Sequence, residues 1–203
     1  FGNTSEVGIF EMGSKGLTEV INPSELFLKE YNQTQTPGST IIVTSEGTRP
    51  LLVEIQALVG TTPYPAPRRV ANGVDTGRVL QILAVLEKRI GLNLSKQDVY
   101  VNVIGGIDVN EPAADLGIAL AIVTCVRDVV FDSHTAIVGE IGLSGEIRAV
   151  NHIERRITEA QKLGFKRIII PAANEIQENI EGIEVIKVKK ILEAITRGVR
   201  HDN

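Results

Sequence analysis

A carboxylate sits where a helix begins. In Asn110-Glu111-Pro112-Ala113-Ala114-Asp115-Leu116-Gly117-Ile118-Ala119-Leu120-Ala121-Ile122, a proline in the first turn with acids around it marks a helix N-terminus. Asp115 has two uses in such a place. It can cap the helix or complement its dipole, which is the plainer reading. It can also be a nucleophile in principle, as an ionised carboxylate or, when protonated, beside a neighbour able to take up its proton. Arg156, in the later helix His152-Ile153-Glu154-Arg155-Arg156, is no such neighbour, because a guanidinium keeps its charge at any usable pH. On a helix surface Arg156 would pair with Glu154 or Glu159; an Asp115–Arg156 ion pair is the sharper alternative.

The other side chains with chemistry to offer are arginines. Arg49 is placed at a hairpin tip and Arg68 and Arg69 on a proline-rich loop. Arg78 is in the first turn of a helix, where a cation opposes the dipole, and Arg148 is on a strand after Gly145. Between residues 61 and 80 there are three arginines and one acid, Asp75. Such a group can hold phosphates without reading bases. The bland alternative is that these are solvated or paired surface cations. Tyr64 is the one aromatic at hand, so stacking of a single strand is only weakly indicated. His134, His152 and His201 are scattered without metal-ligand spacing and are read as surface residues. Ser133 and Ser144 fall in loops.

Composition sets the bounds. The 203 residues suit one sizeable domain. With 43% hydrophobic and 23% charged residues the chain should fold and stay in solution. Aromatics are 4% and tryptophan is absent, so the core must be aliphatic. A net charge of −4 argues against a uniformly basic nucleic-acid binder but allows a local basic patch. A single cysteine, Cys125, excludes an intrachain disulfide and a four-cysteine zinc site; among Ala121, Ile122, Val123 and Val126 it reads as a small buried residue. Neither a signal peptide nor a run of about 18 apolar residues is visible, which points to the cytoplasm and to no membrane partner.

The elements that must position these residues follow from period and punctuation. Val7 to Met12 reads as a strand and Asn22 to Leu28 as a turn leading into a short helix. Ser39–Ser45 and Leu51–Val59 read as an antiparallel hairpin about the turn Glu46-Gly47-Thr48-Arg49-Pro50. Pro63, Pro65 and Pro67 make residues 61–69 extended, exposed and unpaired. A helix runs from Asp75, its cap, to a stop at Gly91, with Leu80, Leu83, Leu86 and Ile90 at helical spacing. Then come a strand over 98–104 and a helix to about Arg127 that is apolar on nearly every side, hence buried and central. Strands at 135–141 and 146–150, a helix from His152 to Leu163, strands at 165–171 and 183–188, and a helix over 189–197 complete the chain. Alternating helices and strands give an α/β (α+β) class, with a mixed sheet and packed helices.

The segment Pro-x-x-Asp-Leu-Gly-Ile-Ala at 112–119 resembles the nucleophile segment of Lon-type serine proteases, with Asp115 at the serine position. Gly139-Glu140-Ile141 and Leu143-Ser144-Gly145-Glu146-Ile147-Arg148 resemble the Lon segment that follows, and Arg156 falls at the position of the dyad lysine. The resemblance narrows to the C-terminal, Lon-like domain of the bacterial RadA (Sms) family of DNA repair proteins. It rests on Lys15-Gly16-Leu17, Asn22-Pro23-Ser24, Gly47 to Val59, Pro67-Arg68-Arg69, Leu86-Glu87-Lys88-Arg89 and Leu163 to Pro171.

That resemblance implies a Lon protease-like (ribosomal protein S5 domain 2-like) fold over 37–198. Residues 1–36 would lead in from an ATPase core, and 199–203 would be a tail. It implies a lost Ser–Lys dyad, so no peptidase activity in this chain, and an ATPase or DNA helicase activity in the full-length family protein. No cofactor is expected in this chain; ATP, magnesium and zinc are expected in the family's N-terminal parts. No Gly-x-x-x-x-Gly-Lys-Ser/Thr segment occurs here. The implied partners are double-stranded or branched DNA, further copies in a homo-oligomer of hexameric ring form, and a RecA-type recombinase. DNA contact would fall to Arg49, Arg68, Arg69, Arg78 and Arg148. A purely structural ring module and, last, a peptidase with an altered dyad are the alternatives.

Overall fold

The computed structural model describes residues 9–13, 16–20, 36–46 and 49–200. The short helix expected near Asn22 and residues 201–203 of the expected tail lie outside the described residues, as does His201; the first two residues of that tail are not loose, since Val199 bridges to Phe131 and the Arg200 N–H donates to the Val130 carbonyl at 2.8 Å. Ile9–Gly13 (β1) and Gly16–Val20 (β2) pair antiparallel as a separate two-stranded ribbon. The second strand of that ribbon was not anticipated.

A seven-stranded sheet organises the rest. Ser39–Glu46 (β3) and Arg49–Thr61 (β4) form the expected hairpin, paired from Ser39↔Gln56 to Glu46↔Arg49. Arg69–Asn72 (β5) and Gln97–Val103 (β6) extend it on one side. Thr135–Ile137 (β7), Arg167–Pro171 (β10) and Glu184–Val188 (β11) extend it on the other. The spatial order is β11-β10-β7-β3-β4-β6-β5. β3 with β4 and β4 with β6 run antiparallel, and the other neighbours run parallel. Glu140–Ile141 (β8) and Ile147–Arg148 (β9) make a small ribbon of their own rather than a continuation of β7.

β5 corrects the reading of 61–69 as unpaired throughout. The prolines do keep residues 63–66 exposed and outside any ladder, but β4 runs on to Thr61, and pairing resumes at Arg69 as soon as the prolines end.

Helices cover the sheet unequally. Thr76–Val85 (α1) starts at Asp75, whose side chain accepts the Arg78 N–H at 3.0 Å, and passes into a π turn, Leu86–Ile90, closed by Gly91 at φ 79°. Pro112–Ala114 forms one 3₁₀ turn ahead of Asp115–Arg127 (α2). Every residue of α2 from Asp115 to Thr124 is buried, as a helix apolar all round must be. Cys125, expected to be buried, is half-buried in the last turn. Ile153–Lys162 (α3) and Ile191–Gly198 (α4) complete the set. α1, α2 and α4 pack on the face that presents Ile42, Ile55, Val101 and Ile137. α3 packs on the opposite face, against Ile41, Val43, Leu52 and Ile168. The alternation of Ile41, Ile42 and Val43 between the two cores is the period of two that a doubly covered strand requires.

Gly117 fixes how close α2 can come. A Cβ there would land inside the Ile42 side chain, so the helix reaches β3 only because that position has none. The contact is completed by the Thr40 hydroxyl, which donates to the Gly117 carbonyl at 2.8 Å. None of the described helices is long and apolar enough to cross a membrane.

Candidate functional site: two arginine clasps at a helix start

The 3₁₀ turn at Pro112–Ala114 has one acid before it and one after it, and each acid captures an arginine from a different helix. Asp115 opens α2 with its side chain 1% exposed. Its Oδ1 accepts the Nε–H of Arg78 at 2.7 Å, and its Oδ2 accepts from Arg78 Nη2 and from the Ile141 N–H at 3.1 Å. The guanidinium comes from the first turn of α1 and also lies 3.8 Å from Glu140. Burial raises the Asp115 carboxyl above the ordinary aspartate value; the hydrogen bonds from Arg78 and Ile141 oppose that rise. The hydrogen bond to Asp115 in turn raises the Arg78 guanidinium.

Glu111 makes the second clasp. Arg156 of α3 is 0% exposed, yet all five of its N–H donors are used. Nε–H donates to the Asn151 carbonyl at 2.9 Å. Nη1 donates to the Val43 carbonyl at 2.7 Å and to Glu111 Oε1 at 2.5 Å. Nη2 donates to Glu111 Oε2 at 3.0 Å and to Asn151 Oδ1 at 2.7 Å. The fork-to-fork geometry is the strong form of this pairing. Burial works against the Glu111 carboxylate, but the Arg156 hydrogen bonds and charge, with donors from the Ser45 N–H and Thr44, hold it below the ordinary glutamate value.

Neither arrangement is a nucleophile with its base. Asp115 is locked by a cation that cannot accept a proton, and Arg156 has no lone pair to offer and no donor left over. The sequence-level pairings fail on geometry. Arg156 is not a surface cation bonded to Glu154 or Glu159, and its carboxylate partner is Glu111, not Asp115. Glu154 instead accepts the Gln177 N–H at 2.9 Å. Asp115 does not cap its helix through a side-chain bond, although it stands in the first turn, where its charge suits the dipole.

Sequence reasoning passed over Glu111 and Glu140. The signal for Glu111 was its place directly before Pro112 at a helix start; Glu140 had only its place in the segment Gly139-Glu140-Ile141, and its neighbour Arg78 lies 62 positions back along the chain, beyond what spacing can read.

The nominated arginines divide. Arg69 is committed to the fold: its guanidinium donates to the carbonyls of Gln97 and of Leu94, the latter at 2.8 Å. Arg78 is committed to Asp115. Arg49 is half-buried at the head of β4. Arg68 is exposed, with its guanidinium 4.2 Å above the Tyr64 ring, and Arg148 is exposed on β9. The structure therefore gathers Asp115 and Arg78 in one place and leaves Arg68 and Arg148 on the surface. Ser133 is buried against His134, Ser144 is exposed, and His134 and His152 are exposed as expected.

These features define a mixed α/β domain whose central helix is fastened at its start by two charge pairs. Residues 75–174, which hold both clasps, match the family described as subunit ChlI of Mg-chelatase. Over 196 residues, 96% of this chain, the sequence is 52% identical to the DNA repair protein RadA of Bacillus subtilis, of which it spans 43%. It is 53% identical over 197 residues to the Synechocystis protein of that name, spanning 38% of it, and 47% identical over 196 residues to the Escherichia coli one, spanning 42%. The chain belongs to the RadA family of DNA repair proteins, and it covers less than half the length of these relatives.

Proposed function

We propose that the chain is a non-proteolytic, Lon-like module of an ATP-driven DNA repair and recombination protein, where it contacts the DNA backbone and takes part in assembling a ring. One observation carries the non-proteolytic part. The positions where a Lon-type site would hold a serine and a lysine carry Asp115 and Arg156, and each is hydrogen-bonded to an oppositely charged partner. ATP hydrolysis and movement on branched DNA belong, in this reading, to the parts of the relatives outside the span shared with this chain.

DNA contact is supported by the exposed cations Arg68 and Arg148 and by the repair role in the relatives' name. Arg49 stands beside them as a lesser contact; Arg69 and Arg78 are assigned to the fold. That two of five nominated arginines are structural also favours a second reading, a ring-forming module without DNA contact.

Fluorescence anisotropy with a labelled duplex over a salt series tests the proposal. Binding should weaken steeply with salt, and an Arg68→Ala/Arg148→Ala variant should lose most of it. An unchanged affinity in that variant, with light scattering showing an oligomer, would move the assignment to the structural module. Peptide release from an unfolded protein substrate that Asp115→Ala abolishes would overturn the non-proteolytic reading.

A further inference from the structure

Across β10, β7 and β3 the sheet is covered on both faces, whereas across the second half of β4, β6 and β5 the described residues cover only one face. The ladder register sets the outward side chains of these three strands in rows. Leu58, Tyr100 and Val70 make one row, and Gln56, Asn102 and Asn72 make the next. Arg68, two residues before Val70, continues the same face beyond them.

The apolar row is open: Leu58 is 64% exposed and Val70 is exposed, with Tyr100 half-buried between them. The amide row is exposed, and Asn72 Nδ2 donates to Asn102 Oδ1 at 3.0 Å. Thr36, Pro37 and Gly38 close one side of a depression of about 500 Å³ lined by the amides, Leu58 and Tyr100. Past the apolar row stands Arg68 over Tyr64.

The acids of this face are withdrawn. Asp98 is buried and accepts the Arg68 N–H at 2.7 Å; Glu54 is buried and accepts from the Ser39 hydroxyl at 2.5 Å and from Gln56 at 3.1 Å. In a chain of net charge −4, the outward rows of β4, β5 and β6 thus expose three amides, a phenol ring and a guanidinium, and no acid.

That combination selects its ligand by chemistry. A flat ring stacks on the π face of any base, and primary amides match the donor–acceptor pairs on base edges. A guanidinium suits the phosphate between bases. Neighbouring strands are about 4.8 Å apart, and successive outward residues roughly 7 Å apart along a strand, so one base on Tyr100 reaches the amide row. A second copy of this chain is the poorer occupant. A stable protein interface buries about 800 Å² on each side around an apolar centre, and here a single file of apolar side chains is flanked by amides.

We infer that this open face binds the unpaired bases of a single DNA strand, with Tyr100 as the stacking platform, Gln56, Asn72 and Asn102 at the base edges, and the Arg68–Tyr64 pair on the phosphates. The inference rests on the reading of the chain as a DNA-contacting module and narrows it to unpaired bases.

Three labelled probes test it: a thymine strand about 16 nucleotides long, an abasic strand of the same length, and a duplex. The two single strands carry the same phosphates and differ only in bases. The 203-residue chain should bind the thymine strand about tenfold more tightly than the abasic one. Tyr100→Ala should erase that preference, Tyr100→Phe should keep it, and Asn102→Asp, at an exposed position, should weaken it. Equal affinity for thymine and abasic strands, with duplex binding intact, overturns the inference and leaves backbone contact standing. Failure to bind any of the three removes both. An oligomer that Leu58→Asp breaks apart, with the thymine preference unchanged, gives the face to a second copy and also overturns it.

Discussion

The two clasps at the start of α2 use the same two charged groups, a carboxylate and a guanidinium, and are built in opposite senses. In one, the cation is sealed: the Arg156 side chain is 0% exposed and its Glu111 partner 20%. In the other, the acid is sealed: Asp115 is 1% exposed and Arg78 30%. The sealed arginine is tolerated because five acceptors surround it, so the gain from geometry offsets the loss of hydration. The sealed aspartate has one guanidinium and one backbone N–H, which is less than full compensation, and its carboxyl is pushed up. Which partner is buried, and how completely it is hydrogen-bonded, therefore decides what each pair does for stability.

The largest expected effect comes from Arg156→Ala. It leaves Glu111 without its cation, strips the Val43 and Asn151 carbonyls of their donor, and opens a cavity. Urea unfolding should show a loss of about 3–5 kcal/mol. A loss below about 1 kcal/mol would mean that the clasp is ornamental.

A matched pair of substitutions sharpens the contrast. Glu111→Gln strands a guanidinium that has no access to water, and should cost about 1.5–3 kcal/mol, the range for hydrogen bonds to charged groups. Asp115→Asn removes a buried charge and frees Arg78 to turn into solvent, and should cost about 1 kcal/mol or less. Equal losses would erase the distinction.

The pH dependence should be the subtlest reading, and its signs are opposite. The folded-state value of Glu111 is lowered, so its contribution is present above the unfolded value of about 4.3 and is lost as pH falls through the folded value. The folded-state value of Asp115 is raised, so its contribution is full below the unfolded value of about 3.9 and is lost as pH rises through the folded value. In the parent the two partly cancel. Between pH 3 and 6, roughly the carboxylate range, Glu111→Gln should flatten the acid loss of stability and Asp115→Asn should steepen it. Parallel shifts in both variants would contradict the assignment.

The contrast also shows where sequence reading ends. The hairpin, the buried course of α2, the Asp75 cap and the Gly91 stop are local matters of period and punctuation, and they were legible. β5 was not, since three prolines masked the four residues that follow them. The clasps were not, since their partners are remote: Glu111 lies 45 residues from Arg156, the Val43 carbonyl 113, and Arg78 lies 37 from Asp115. Spacing along a helix offers Glu154 and Glu159 to Arg156 instead. Only the packing of α3 against β3 turns its guanidinium inward. The exposed position of Arg68 was anticipated from the proline-rich loop, whereas the capture of Arg69, placed on the same loop, by carbonyls at 94 and 97 depends on a strand that the sequence concealed.

β4 has 13 residues and passes from a region with helices on both faces to one with a helix layer on a single face. Its two halves thus belong to different clocks. Amide protons around Leu52 to Ile55 should exchange with solvent only when the whole domain opens, whereas those from Leu58 onward should be released by local parting of the β4–β6–β5 corner. One continuous strand should then carry a fast and a slow exchange regime, with the boundary between them where the open face begins.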